Sequence, residues 1–198
     1  MPERLVLGID LAASPRRRSG VALLALRRGG GAELRLCRSI PGGWREAAEL
    51  ATRLGAALAV VDAPMSLPRR GGLRAAERLA LKLGARLLPL TLASMKALAS
   101  EARRLRRSLE AFMDVYETHP GSIPRVSGCP AQLYAARYGV DPAECRSRDK
   151  RDALLAALVG AGLATGETII LADDEGTALL LPRPGLCGRG AVTGSGKP

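Results

Sequence analysis

Asp10 closes the apolar run Leu7-Gly8-Ile9, and Asp62 closes Val60-Val61 and is followed by Ala63-Pro64. Glu117 follows Val115-Tyr116 and leads into Thr118-His119-Pro120, while Asp149 and Asp152 stand three residues apart ahead of Ala153-Leu154-Leu155. A carboxylate at the end of a buried strand loses hydration, which hydrogen bonds, solvent or a cation must replace. Several that converge therefore imply a cation. Carboxylates that hold one or two Mg²⁺ or Mn²⁺ about 4 Å apart activate a water and stabilise a leaving oxygen, the chemistry of phosphodiester cleavage.

Taken singly, each acid also has a plainer reading. Asp10 reads equally as a turn aspartate, although the small residues Ala12, Ala13 and Ser14 after it leave room for a phosphate or its metal. Asp62 reads as an organiser of the loop that Pro64 stiffens. Asp149 falls in the first turn of a helix, where the macrodipole favours an acid. Asp152 is three residues further along the same helical face and borders the apolar stripe, at the edge of the core. Glu117 has a strand-exit setting like that of Asp10 and competes with Asp149 for the last ligand position. His119, the only histidine, reads as a loop residue beside Pro120.

Cations accompany the acids. Arg16, Arg17 and Arg18 follow Asp10, Arg69 and Arg70 follow Asp62, and Lys150 and Arg151 lie between the helix acids. Their placement suits contacts to nucleic-acid phosphates; Arg74, Arg78 and Lys96, on helices, are weaker candidates.

These side chains need a scaffold. Residues 4–10 read as a central strand, 21–26 and 33–39 as two more joined by short turns, and 44–54 as a helix closed by Gly55. Residues 56–61 form a fourth strand, which a helical crossover makes parallel to a neighbour. If it lies beside the first strand, Asp10 and Asp62 meet at the carboxyl ends, the crevice where such sheets hold ligands. Helices are predicted over 72–83, 94–113, 131–138 and 147–164, a short strand over 114–116, a loop over 120–130, and a terminal hairpin from 168–172 and 178–181. Residues 1–184 are expected to form one domain and 185–198 a flexible Gly-rich tail.

The 198 residues carry 30 Lys and Arg against 19 Asp and Glu, a net charge of +11 that favours polyanionic partners. Aromatic content of 3% argues against a surface built on base stacking. No apolar run is long enough to span a membrane and no signal peptide is evident, so a cytoplasmic protein is expected. Cys37, Cys129, Cys145 and Cys187 are too widely spaced for a zinc knuckle or CxxC pair and read as reduced thiols.

Strand-strand-strand-helix-strand is the opening of an α/β RNase H-like fold, with an antiparallel first trio, a parallel fourth strand and helices on both faces; the same order also fits other mixed sheets. The segments GIDLA (8–12), VVDAPMSLP (60–68), ETHPG (117–121) and RDALLAALVGAG (151–162), with GLRAAERL (72–79) as a softer match, resemble domain-of-unknown-function family 429, a family of predicted nucleases with that fold. The resemblance extends to Holliday-junction resolvases of the same superfamily. Their acids come from the first strand, the fourth strand and two positions three apart on the last helix, which implies Asp10, Asp62, Asp149 and Asp152 here. Glu117 belongs to the narrower family's own motif, as an extra or substitute ligand. RNase H proper uses a glutamate on the helix before the fourth strand; Glu46 and Glu49 lie there but read as solvent-facing. The resemblance implies a Mg²⁺- or Mn²⁺-dependent nuclease acting on DNA or RNA. The alternative is a catalytically inactive nucleic-acid-binding or adaptor protein on the same fold. A sugar-kinase-like fold would need a second lobe and a Gly-rich phosphate loop that the chain lacks. Resolvase-like sites often work in pairs, so a homodimer is also entertained.

Overall fold

The computed structural model describes residues 4–188. Strand β1 (Arg4–Asp10) is buried continuously from Leu7 back to Val6 and on to Ile9, as a mid-sheet strand covered on both faces must be. β2 (Arg18–Leu26) pairs with it antiparallel, and β3 (Ala32–Pro41) pairs antiparallel with β2. Helix α1 (Trp44–Leu54) ends at Gly55, whose φ of 63° is the left-handed cap, and crosses over to β4 (Leu58–Asp62), which is parallel to β1. Next come α2 (Ala75–Lys82), α3 (Ala93–Leu109) and β5 (Asp114–Thr118), the last parallel to β4.

A 3₁₀ turn at Pro120–Ser122, helices α4 (Ile123–Ser127) and α5 (Ala131–Ala136) and a second 3₁₀ turn at Pro142–Glu144 lead into α6 (Arg148–Thr165). β6 (Thr168–Ala172) and β7 (Ala178–Pro182) complete a seven-stranded sheet of order β3-β2-β1-β4-β5-β7-β6. The expected terminal hairpin is thus part of the main sheet, because β7 runs parallel to β5.

Strand alternation sorts the core into two layers. Val6, Leu58 and Val60 pack with α6, whereas Leu7, Ile9, Ala59 and Val61 pack with α1 and α3. Small residues let α6 sit directly on the strands: a Cβ on Gly8 would stand 2.0 Å from the Ala153 carbonyl, and one on Gly20 would stand 2.0 Å from that of Asp149.

Three expectations need correction. The strand predicted over 114–116 runs to Thr118, so Glu117 lies within it rather than beyond it. The loop predicted over 120–130 contains the 3₁₀ turn and α4. The cysteines are not free thiols: Cys37 bonds to Cys145 and Cys129 to Cys187. Partners 108 and 58 residues apart meet only because β3 and the residues before α6, and the α4 end and the chain beyond β7, fold together. The Gly-rich tail is described only to Gly188, where Cys187 holds it; its remainder lies outside the described residues. Among the described residues no helix is long and apolar enough to cross a membrane.

Candidate acidic crevice

The β1–β4 register sets Asp10 directly beside Asp62. Adjacent positions in parallel strands face the same way, and alternation from Val6 and Val60 turns both carboxylates toward the α6 face. On the other side of Asp10 lies Gly20 of β2. Because Gly20 has no side chain, the backbone of Asp149 closes over it and brings the first turns of α6 to the crevice.

The electrostatics record this convergence. Burial, then the negative charges of Asp152 and Asp149, push the Asp10 carboxyl up from 3.8 to about 7. Asp62 is raised well above its usual value by burial first, and then by Asp10 and Asp152. Burial also raises Asp152, against the opposing pull of Arg148, which stands 3.5 Å away one helical turn earlier. Arg148 opposes the rise at Asp10 and Asp62 as well, which makes it the cation common to all three. Its i,i+4 spacing from Asp152 is the signal in the sequence that marks it.

Asp149 behaves differently. Burial pushes its carboxyl up, but polar neighbours, among them the Ser39 hydroxyl and backbone N–H groups, outweigh this and hold it below the ordinary value. The Ser39 hydroxyl donates at 2.5 Å and ties the acid to β3.

Glu117 stands apart. It pairs in register with Val61, one residue short of Asp62, so alternation turns it toward the opposite sheet face. There both of its oxygens are engaged: Arg74 donates through Nη1 at 2.9 Å and Nη2 at 2.8 Å, and the Met65 N–H donates at 2.6 Å. Arg74 also bonds Glu77, at 3.0 Å, and all three side chains are buried. Burial pushes Glu117 up against the pull of Arg74 and Met65. Arg74, a weak candidate for phosphate contact, is thus the centre of an internal ion-pair cluster.

The other cations are spread more widely. Arg16, Arg17, Arg18 and Arg70 are exposed, and Arg18 donates to the Ser39 carbonyl. Arg69 is tethered to the β6–β7 turn through Asp174 and Glu175. Lys150 is half-buried, and Arg151 lies with Arg146 along a separate groove beside α5.

A cavity of ≈ 200 Å³ opens at the carboxyl ends of β1, β4 and β5, lined by Asp10, Asp62, Arg74, Glu117 and His119 together with leucines of the segment before α3. Among the described residues, no three His, Cys, Asp or Glu side chains are grouped as a ready-made metal cage. The donor chemistry of the crevice nevertheless suits a hard cation. Mg²⁺ typically uses one or two carboxylates and completes its shell with water and substrate phosphate, and Asp10 and Asp62, the first raising the pKa of the second, supply the unmet negative charge.

The model of a family described as protein of unknown function (DUF429) matches residues 8–113, a span that contains Asp10 and Asp62 but ends before Glu117 and α6. Among solved structures, a Thermus thermophilus RuvC structure aligns with a TM-score of 0.52 and 15% identity, over 88% of this chain and 99% of that one. T. thermophilus RuvC in complex with a Holliday junction substrate aligns at 0.51 and 16% identity, over 82% and 96% of the respective chains. No curated protein matches the chain. At such identity the likeness establishes the fold: an α/β RNase H-like domain with a mixed central sheet.

Proposed function

We propose that this chain, which belongs to the DUF429 family of proteins of unknown function, is a divalent-cation-dependent nuclease that hydrolyses phosphodiester bonds in DNA or RNA. The observation that carries the reading is the Asp10–Asp62 register with Asp152 electrostatically coupled to both. Asp10 and Asp62 are assigned as the ligands of Mg²⁺ or Mn²⁺. Asp152 completes the set as a ligand or an acid–base group, and Asp149, fixed by Ser39, supplies negative charge beside it. When bound, the cation supplies Lewis-acid stabilisation of the phosphate and an activated water. Glu117, which the sequence also nominates as a ligand, is assigned to holding Arg74 and the Met65 backbone below the crevice.

The net charge of +11 supports a polyanionic substrate, and exposed Arg16, Arg17 and Arg18 leave β1 beside the crevice to contact it. The lack of a preformed three-donor group among the described residues favours a second reading, an inactive nucleic-acid-binding protein. Incubation of the full chain with duplex, single-stranded, hybrid and branched substrates, each with Mg²⁺ or Mn²⁺, separates the two. The nuclease reading expects cleavage that falls at least about 100-fold in Asp10→Asn and Asp62→Asn. Cleavage that survives both substitutions overturns the mechanism, and salt-dependent binding without turnover under either cation supports the second reading.

A further inference from the structure

The cavity at the ends of β1, β4 and β5 is more specific than a metal crevice requires. Asp10 and Asp62 are in its lining, and with them Leu87, Leu88, Leu90, Met95 and Leu98 supply a hydrocarbon surface. Its ≈ 200 Å³ lies below the roughly 300 Å³ at which pockets begin to take drug-sized ligands, so it admits a single ring system. Charge excludes an anion from the interior: Glu77 and Glu117 outnumber Arg74, and Asp10 and Asp62 stand at the edge. A phosphate would therefore stay outside, near the acids and their cation.

What the interior lacks is a polar partner at one end. The Nδ1 of His119 is within 2.8 Å of the Ser122 hydroxyl, which leaves Nε2 without a hydrogen bond among the described residues. Burial lowers the His119 pKa, which keeps the imidazole neutral at physiological pH. At the rim, Leu88 leaves 58% of its surface exposed where an incoming ring would cover it. A neutral flat ring with hydrogen-bonding edges meets these demands together.

We propose that this cavity is a subsite for one unpaired nucleobase, held against the leucines and Met95 with its polar edge toward His119. The base is lifted from its stack, as enzymes that engage single bases require, and its own phosphate reaches Asp10 and Asp62. The assignment of that phosphate as the one attacked rests on the nuclease reading. The base-binding step does not.

The test therefore starts without cleavage. His119 is the only histidine in the chain, so its imidazole signals in NMR report on the cavity alone. Titration of the full chain, free of divalent cations, with the four deoxynucleosides is expected to shift those signals saturably. Met95→Trp, which fills the space, should abolish the response, and Leu88→Asp, at the exposed rim, should weaken it at least fivefold. Toluene should be bound less well than the preferred nucleoside. No saturable shift, or an equal response to toluene, overturns the proposal. Where the protein cleaves, an abasic nucleotide beside the cut should raise KM about tenfold in the wild type and have no effect in Met95→Trp. Nucleoside binding without any cleavage upholds the subsite and defeats the nuclease reading, whereas cleavage indifferent to abasic sites defeats the subsite alone.

Discussion

Asp10 and Glu117 line the same cavity and meet opposite energetic demands. The Glu117 carboxylate has a bidentate guanidinium and a backbone N–H, so its removal leaves the buried Arg74 charge with Glu77 as its one remaining carboxylate. Breaking such a pair typically costs about 3–5 kcal/mol. Asp10 has neighbours that repel it. Its carboxyl gives up the proton near 7 in the folded protein but near 3.8 when unfolded, so the folded state loses stability as pH rises between those values. At pH 8 without divalent cation that loss is complete. Urea unfolding under these conditions should therefore find Glu117→Ala destabilised by about 3–5 kcal/mol and Asp10→Asn at least as stable as the wild type. A marked loss of stability in Asp10→Asn would mean that the acid is already well paired and has no unmet demand for a cation.

Strand and helix spacing decide which acids meet. Asp10 and Asp62 were legible in the sequence because each ends an apolar run, and the helical crossover made their strands parallel neighbours. Glu117 shows where that reasoning stops: β5 extends two residues further than its sequence suggests, and a shift of one residue along a strand reverses the face. Gly8 and Gly20 carried a signal that went unread, since glycine inside a strand often marks the close approach of another backbone. Gly20→Ala tests that role. Its Cβ would stand 2.0 Å from the Asp149 carbonyl, so α6 must move away from β2 and carry Asp149 and Asp152 with it. Overpacking of this kind costs about 1–3 kcal/mol. The melting temperature should fall by several degrees, and cation-dependent cleavage should fall more than the residual folded fraction accounts for. Unchanged cleavage in the folded variant would show that the helix acids need no exact approach to β1.

The molecule as a whole is tied by two disulfides that join parts distant in sequence, which is why spacing alone could not reveal them. They do not serve the crevice equally. Cys37 lies two residues before Ser39 on β3, and Cys145 lies three residues before Arg148 at the start of α6, so this bond closes the gap that the Ser39–Asp149 hydrogen bond spans. Cys129–Cys187 instead fastens the end of α4 to the chain beyond β7, away from the acids. Because loop-closure entropy grows only slowly with length, loops of 108 and 58 residues predict similar stabilisation, typically about 2–4 kcal/mol each. Their functional effects should diverge. Cys37→Ser/Cys145→Ser and Cys129→Ser/Cys187→Ser should lose comparable stability in urea, yet only the first should weaken Mn²⁺ binding and cleavage when both are assayed at a temperature where they remain folded. Equal losses from both variants would reduce the Cys37–Cys145 bond to a general staple. A selective loss would place control of the α6 acids in β3, an element that contributes no carboxylate of its own to the proposed set.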